Sequence, residues 1–296
     1  MAEERVLVTG ASGHVGSRLV PELVRSGRPV RALSRQERDR EDSVETAVGD
    51  VLDRASLDAA LEGVGAAYYL VHGLADAGDL DEVELEAART FAAAARDAGV
   101  GRVVYLGGLA HGRDLSDHLR TRHEVGEILR AEGPLTVELR ASVVIGDGSA
   151  SFELVRALVD YLPALVLPDW IDTQCQPIAV DDVIAYLLAA LDVEVPQSTV
   201  FEIGGADRIT YRDLLDIYGD AVGSQRPTLG LPALPLPLPA LLTRFAPEQA
   251  RVWIKLAEGL RFDSTVQDER AAEAFDIRPG GAREAVERAV AGSVAS

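Results

Sequence analysis

Lysine and cysteine are nearly missing from this chain. Lys255 is the only lysine among 29 basic residues, so every other basic residue is an arginine. A mechanism that requires a lysine therefore has a single candidate. Cys175 is the only cysteine, which excludes an intrachain disulfide and a cysteine-rich metal site. We expect Cys175 to be a small buried residue.

Long apolar runs and an excess of positive charge are also absent. No run reaches the roughly 18 to 20 apolar residues that cross a bilayer, and MAEERVLV leads into a strand pattern without a signal peptide. The net charge of -19 argues against nucleic acid or an anionic membrane as a partner, because both need a basic face. These features predict a soluble cytoplasmic protein. Its oligomeric state, monomer or homodimer, stays open.

The first half of the chain alternates short apolar runs with amphipathic stretches such as GSRLVPELVRSG. Strands separated by helices of this length indicate right-handed βαβ units and a parallel sheet with helices on both faces. The 296 residues, 47% of them hydrophobic, suffice for one large α/β unit with a buried core. The predicted strands cover residues 5–10, 29–35, 46–51, 66–72, 101–108, 135–146 and 199–205.

The pattern becomes less regular after residue 146. We therefore divide the chain into an N-terminal core, residues 1–146, and a mixed region, residues 147–296, that returns elements to the sheet and forms a smaller lobe. A helix is expected at 150–162, and Asp181 and Asp182 are expected to cap a later one. The run LGLPALPLPLPALL is expected to be an extended connector or a pocket wall, because its prolines exclude a regular helix. These prolines are Pro232, Pro235, Pro237 and Pro239.

A glycine turn lies between the first strand and the first helix. Its glycines have the spacing G-x-x-G-x-x-G, which lets backbone N–H groups approach a pyrophosphate at the positive end of the helix. The sequence therefore predicts an α/β fold with a Rossmann-type doubly wound parallel sheet that binds a dinucleotide, and with a smaller C-terminal substrate lobe. Cofactor contacts are expected from Gly10, Ser12, Gly13, His14, Val15 and Gly16.

The second strand carries arginines where NAD-binding sites place an acidic residue. VRALSR contains Arg31 and Arg35 and no carboxylate. Guanidinium groups can hold the extra 2′-phosphate of NADP through paired hydrogen bonds. We therefore expect NADP(H) to be preferred over NAD(H), with contacts from Arg31, Ser34 and Arg35. The alternative is two solvated arginines at the end of a strand.

Asp50 and Val51 follow the third predicted strand and are expected cofactor contacts. The Asp50 carboxylate could lie near the adenine amino group, or it could cap the helix that begins near Asp53. Both roles remain open at this point.

Together, TGASGHVG, the strand-end arginine, GDVLD and PIAVDDV resemble the short-chain dehydrogenase/reductase superfamily, in its extended and atypical NmrA-like branch. The resemblance covers nearly the whole chain. It implies a serine after the fifth strand and a Tyr-x-x-x-Lys motif on the next helix. It also implies that Val71, His72 and Gly73 run beside the nicotinamide ribose and that Val143 and Ile145 flank the nicotinamide ring.

The catalytic residues that the resemblance implies are missing. Glycines replace the hydroxyls in VYLGG, and the tyrosine and lysine positions fall on His118 and Arg122. None of the seven tyrosines has a lysine or arginine four residues later. His118 could transfer a proton, and Arg122, on the same helix face, could hold the ribose hydroxyls. Alternatively, both residues complete a helix surface near the cofactor.

Further candidates lie around the expected substrate. His111 follows the fifth strand and competes with His118 for the proton-transfer role, whereas His123 is expected to face away. The five histidines lack metal-ligand spacing, so no metal site is predicted. Gln176 is a further candidate for the pocket wall. For Gln176, Phe152, Trp170 and Gln174, ordinary packing in the core or the lobe is the alternative. The expected substrate-pocket residues are Gly108, His111, Ile145, Phe152, Trp170 and Gln174.

These patterns favour an NADP(H)-dependent oxidoreductase that reduces a small, fairly apolar carbonyl or conjugated substrate. Two alternatives remain open. One is a dinucleotide-binding sensor or regulator without turnover. The other is an NAD(P)-dependent isomerase or epimerase that oxidises its substrate transiently.

Overall fold

A computed structural model of the protein describes residues 5–37, 43–72, 80–112, 114–161, 165–225, 228–231 and 256–294. Several residues named above lie outside this description, together with the side chain of Trp170. They are Gly73, Lys255, Pro232, Pro235, Pro237 and Pro239.

The described strands and helices alternate through the first half of the chain, as predicted. The strands are β1 (Arg5–Val8), β2 (Val30–Ser34), β3 (Val44–Val48), β4 (Val64–Tyr69), β5 (Arg102–Gly108), β6 (Leu135–Ala141), β7 (Val144–Ile145), β8 (Leu165–Pro168), β9 (Gln174–Cys175), β10 (Ile178–Ala179), β11 (Thr199–Ile203), β12 (Ile209–Thr210) and β13 (Thr228–Leu231). The helices are α1 (Gly16–Arg25), α2 (Arg54–Ala60), α3 (Leu80–Asp97), α4 (Asp117–Glu132), α5 (Ala150–Tyr161), α6 (Val180–Ala190), α7 (Tyr211–Ala221), α8 (Arg270–Ala274) and α9 (Ala282–Val294), with a 3-10 helix at Asp169–Asp172.

Seven strands form one parallel sheet in the order β11-β6-β5-β4-β1-β2-β3. The chain runs outward from β1 to β3, returns to β4 beside β1, and then continues to β6. This order confirms the doubly wound Rossmann-type fold. The carboxyl ends of β1 and β4 meet where the direction of winding reverses, and ligands of such sheets bind at that edge.

Alternating side chains give the sheet its two covered faces. In β1, Val6 and Val8 pack with α1 and α6 in one buried cluster, whereas Leu7 packs with α2, α3 and α4 in another. Successive residues of a strand point to opposite faces, so an apolar run without polar interruption requires cover on both. Phe91 of α3 and Leu19 of α1 are fully buried on these opposite faces.

A smaller cluster forms the C-terminal lobe. Phe152 and Leu158 of α5 pack against Leu215 of α7 and Val286 of α9. The rings of Phe152 and Tyr218 meet edge to face with centroids 5.7 Å apart. The lobe therefore has its own apolar centre, next to the sheet edge where β6 ends.

Two local expectations are wrong. The predicted strand at 135–146 stops at Ala141, because Ser142 turns the chain and β7 then pairs with β10 outside the main sheet. Asp181 and Asp182 do not cap α6, whose N-cap residue is Ala179. They lie in its first turn, where Asp182 accepts a hydrogen bond from the Gly280 N–H at 3.0 Å.

No helix in the described part of the chain is both long enough and apolar enough to cross a bilayer.

Candidate active site

The glycine turn after β1 has the close packing that its spacing predicts. Gly10 has φ +66°, and a Cβ there would lie 2.7 Å from the Leu70 carbonyl carbon. A Cβ on Gly16 would lie 2.8 Å from the Ala11 Cα, so only glycine lets α1 begin against the turn. Within the described residues, the backbone N–H groups of Ser12, His14 and Val15 have no protein acceptor. This cradle at a helix N-terminus fits a pyrophosphate.

His14 connects the glycine turn to the start of the lobe. Arg18 bonds the His14 ring at Nδ1 (3.0 Å) and donates to the Asp147 carbonyl at 2.8 Å. The His14 Nε2 atom is buried and has no partner in the described part of the protein. Burial, with the nearby Arg18 charge, lowers the His14 pKa to about 4, so the ring is neutral at pH 7.

The prediction that Arg31 binds the cofactor is wrong. Its guanidinium donates to the carbonyls of Ala60 (2.6 Å) and Glu62 (2.9 Å) and pairs with Glu45 at 2.9 Å. Arg31 is 7% exposed and lies near the amino end of β2, whereas dinucleotides bind at the carboxyl ends of such strands. It therefore closes the C-terminal end of α2 against the sheet.

Ser34 and Arg35 lie at the carboxyl end of the second strand, the edge of the sheet where dinucleotides bind. Ser34 ends β2, and Arg35, which follows it, is exposed and has no hydrogen bond or ion pair with another described residue. Asp53 caps α2 by accepting the Ala55 N–H at 3.1 Å, so capping is not the role of Asp50. The Asp50 carboxylate accepts the Leu52 N–H instead.

His72 and Arg122 meet beyond the ends of β4 and β5. An Arg122 Nη lies 3.0 Å from His72 Nε2 and 3.3 Å from the Leu106 carbonyl oxygen. Burial, with the charge of Arg122 and the proximity of His118, lowers the His72 pKa well below its usual value. Neutral His72 can then accept a hydrogen bond from the guanidinium, which is permanently charged. The resemblance implies that this pair lies beside the nicotinamide ribose.

A cavity of about 160 Å³ opens beside this pair, at the carboxyl ends of β5 and β6. Helix α4 forms one wall, α5 and α7 form another, and residues 256–264 close a third side. Most of its lining is aliphatic, with Leu119, Leu154 and Leu158 among the larger side chains. Four predicted site residues line it, namely Gly108, His118, Arg122 and Val143.

Four expected pocket residues do not line this cavity. His111 is drawn away by a backbone bridge to Asp263 and by its ring contact with the Thr265 carbonyl at 2.9 Å. Ile145 and Phe152 are buried in the lobe core, because the strand containing Ile145 leaves the sheet and Phe152 packs on the Tyr218 ring. Gln174 is exposed in β9.

Two other candidates have structural partners. The Gln176 amide donates to the Gly205 carbonyl at 2.7 Å and accepts from the Val266 N–H. His123 lies against the Gly108 carbonyl (3.1 Å) and outside the cavity, so it does not compete with His118. No group of three or more histidine, cysteine or acidic residues in the described ranges could hold a metal ion.

Three of the cavity's hydroxyl groups lie close together, and none of them was among the predicted site residues. Ser142 and Ser264 lie 3.0 Å apart, Oγ to Oγ, and Tyr211 is hydrogen-bonded to Ser264. Burial raises the Tyr211 pKa above its usual value. These residues are far apart in the sequence and share no spacing, so the chain offers no signal that they meet. We call them the hydroxyl cluster.

A buried charge group holds α4 on the sheet. Glu138 of β6 is fully buried and contacts Arg130 of α4 and Arg140, the latter at 2.7 Å. Gly126 leaves room for it, since a Cβ there would lie 2.6 Å from the Glu138 carboxyl carbon. This contact fixes the helix that carries His118 and Arg122.

Comparisons with known proteins agree with the fold and the glycine cradle. A family model described as NAD(P)H-binding matches residues 10–145. The (4-alkanoyl-5-oxo-2,5-dihydrofuran-3-yl)methyl phosphate reductase of Streptomyces griseus is 30% identical, over 86% of this chain and 87% of its own length. A short-chain dehydrogenase/reductase superfamily protein from Agrobacterium tumefaciens, solved with bound NAD, shares the fold with a TM-score of 0.71 at 18% identity, covering 98% of this chain and 97% of that one.

Other relatives match in part. The divinyl chlorophyllide a 8-vinyl-reductase of Zea mays is 29% identical over 69% of this chain, which spans 55% of that relative's length. The chain spans only 33% of sterol demethylase protein B of Methylococcus capsulatus, at 40% identity over the matched third of this chain. The nearly complete match to the Streptomyces reductase, the NAD(P)H-binding model and the sheet order together show that the chain belongs to the NAD(P)-binding short-chain dehydrogenase/reductase superfamily.

Proposed function

We propose that this protein is an NADP(H)-dependent reductase, of the NmrA-like branch, that acts on a small, fairly apolar carbonyl or conjugated substrate. The observation that carries the proposal is the cavity beside the His72–Arg122 pair, where His118 and Arg122 stand among aliphatic side chains. Such a lining suits an apolar molecule with few polar atoms.

The names of two relatives support a reductase. Both name reductases of compounds that contain carbon–carbon double bonds, a vinyl group in one and a dihydrofuran ring with alkanoyl and oxo groups in the other. The Streptomyces relative aligns with 86% of this chain.

The chain's own residues would divide the work as follows. The N–H groups of the glycine turn bind the pyrophosphate, and Arg122, oriented by His72, donates to the ribose beside the nicotinamide. NADP(H), when bound, supplies or accepts a hydride. His118, on the cavity wall, delivers the proton that completes a reduction. Arg122 exchanges no proton, because guanidinium keeps its charge at any working pH.

Arg35 would confer the preference for NADP(H). It is exposed directly after β2, and β2 itself contains no acidic residue. A guanidinium there can bind a 2′-phosphate bidentately. Ser34, the last residue of β2, would add a hydroxyl donor.

The test is NADPH oxidation, followed by absorbance, with a panel of quinones, enones, aldehydes and imines. We expect saturable turnover by the wild-type protein and a loss of roughly 100-fold or more in kcat for His118→Ala, the usual contribution of a general acid. His123→Ala is the matched control, since it changes the same residue type on the same helix outside the cavity. NADPH binding without turnover on any compound would replace this proposal with a sensor.

A further inference from the structure

The hydroxyl cluster is a second polar site in the cavity, separate from α4. Ser142 follows β6, Tyr211 is the first residue of α7, and Ser264 is the last residue of the segment that closes the cavity. All three line the cavity, and their exposed fractions are 8%, 5% and 5% respectively. Buried hydroxyls in an apolar wall require hydrogen-bond partners, and these three hydroxyls supply partners to one another.

Counting protons shows that the cluster has a donor to offer. The backbone N–H of Gln176 donates to Ser142 Oγ at 3.1 Å. The Ser142–Ser264 and Ser264–Tyr211 bonds use two of the three hydroxyl protons. When Ser264 donates to Ser142, which the 3.0 Å contact allows, Tyr211 donates to Ser264 and the Ser142 O–H remains for an acceptor outside the cluster.

The opposite wall has a different chemistry. Arg122 is held by His72 and the Leu106 carbonyl, next to where the resemblance places the cofactor ribose. His118 can change its protonation state, whereas serine and buried tyrosine hydroxyls remain neutral donors at pH 7. The cavity thus combines a proton-transfer group on α4 with a neutral hydrogen-bond donor on the β6 and α7 side.

We propose that the hydroxyl cluster binds the carbonyl oxygen of an α,β-unsaturated ketone or lactone. This inference rests on the proposed function and narrows its substrate class. Reduction of a simple carbonyl places the hydrogen-bond donor and the proton donor on the same oxygen. Reduction of a conjugated double bond needs the hydrogen-bond donor at the carbonyl oxygen and the proton donor at the α-carbon. The hydroxyl cluster and His118 lie on different walls of the cavity, which matches this separation.

The chemistry of that reduction balances with these groups. A hydride from the reduced dinucleotide of the proposed function adds to the β-carbon, and the electron pair of the double bond moves onto the carbonyl oxygen. The cluster stabilises the negative oxygen by hydrogen bonding, as donors in oxyanion-binding sites do. The electron pair then returns as the α-carbon takes a proton from His118, leaving a saturated ketone or lactone.

The test uses the protein saturated with NADP+ and cyclohex-2-enone labelled with carbon-13 at its carbonyl. Hydrogen bonding moves the carbonyl resonance downfield, so the shift on binding reports the donor without turnover. We expect Ser264→Ala and Tyr211→Phe to lose most of this shift and to weaken binding about fivefold to tenfold, the effect of one neutral hydrogen bond. Ser142→Ala is the third variant, which decides the question if either of the others fails to fold.

Two matched controls should keep the wild-type shift. Ser151→Ala makes the same change in the same cavity outside the cluster, and Tyr218→Phe makes the same aromatic change on α7 outside the cavity. An unchanged carbonyl shift in the folded cluster variants, or a shift lost only in His118→Ala, would overturn the inference.

Product analysis separates this inference from the proposed function. Turnover of aldehydes or quinones, with allylic alcohol as the only product from the enone, would leave the reductase standing and remove the cluster's role. A carbonyl shift that depends on the cluster, without turnover of any compound, would keep the cluster as a carbonyl-binding site and remove the reductase proposal.

Discussion

Replacing the two arginines of the second strand by alanine, one at a time, should separate fold stability from cofactor choice. Arg31→Ala removes bonds of 2.6 and 2.9 Å to two carbonyls and a 2.9 Å ion pair with Glu45, from a guanidinium that is 7% exposed. Charged hydrogen bonds of this kind contribute about 1.5–3 kcal/mol each, and water will recover part of the loss, so we expect about 3 kcal/mol in the free energy of unfolding. For a chain of this size the melting temperature should fall by roughly 6 to 9 °C.

Arg35→Ala should act on the cofactor alone. Its side chain is exposed and makes no bond within the described residues, so the melting temperature of the apoprotein should stay within about 1 °C. Loss of one charged contact to the 2′-phosphate should weaken NADPH binding by about 10- to 100-fold and leave NADH binding within about twofold.

Titration calorimetry with NADPH and NADH, and thermal unfolding of both variants, measure these effects. The reasoning is refuted if Arg31→Ala melts like wild type yet loses NADPH selectively, because Arg31 would then be the phosphate ligand. Equal weakening of the two cofactors by Arg35→Ala would refute the proposed NADP(H) preference.

Three further changes test the surroundings of the site. Gly126→Ala puts a methyl group 2.6 Å from the Glu138 carboxyl carbon and should destabilise the fold by about 2–4 kcal/mol in urea unfolding. The control Gly292→Ala, with open space around its Cβ, should not destabilise the fold. Equal urea midpoints for the two variants would contradict the steric argument. Stability should fall as the pH drops from 6.5 to about 4, because the unfolded chain protonates His14 while the folded chain keeps it neutral. Allowing for partial solvent screening, the His14→Gln variant should lose about 1–2 kcal/mol less stability than wild type over this pH range. If the melting temperatures of variant and wild type depend on pH identically, His14 is not the cause of the loss. Gly108→Ala places its Cβ at ordinary contact distance, 3.4 Å from the nearest Leu119 carbon, so it should fold with unchanged or up to about 1 kcal/mol higher stability; a lower melting temperature would show that the site cannot hold even a methyl group.

The main sheet could be predicted because its signal is local. Each strand is a short apolar run between helical patterns, and β5 was placed to within one residue at each end. The glycine turn was equally readable, since Gly10 and Gly16 are required by close backbone contacts. Such features depend on neighbours in the sequence, and composition and spacing record those neighbours.

The error at Arg31 had a physical cause that spacing could have revealed. Four residues of extended strand span about 13 Å, so Arg31 and Arg35 cannot both reach one phosphate edge. The sequence identified β2 as the strand that ends near the cofactor. The position of each arginine along β2 decides which one reaches the carboxyl edge of the sheet. Arg31 lies near the amino end, where α2 offers carbonyls to a cation.

The hydroxyl cluster could not be predicted, because its members meet only through tertiary packing. Ser142, Tyr211 and Ser264 come from a strand end, a helix start and a late loop. The expectation for Phe152 failed for a related reason, since an aromatic residue near a site can as well fill the core of the lobe.

The pairing of β11 with β6 bears on how this protein can be dissected. β11 belongs to the C-terminal region, yet it joins the N-terminal sheet over five residue pairs. A fragment ending at Gly146 would leave the backbone of β6 without a partner on that side and would also lack α6, which covers one face beside α1. Unpaired strand edges recruit other chains, so such a fragment should aggregate. The dinucleotide-binding half would have to be isolated with β11 and α6 supplied in trans or by circular permutation.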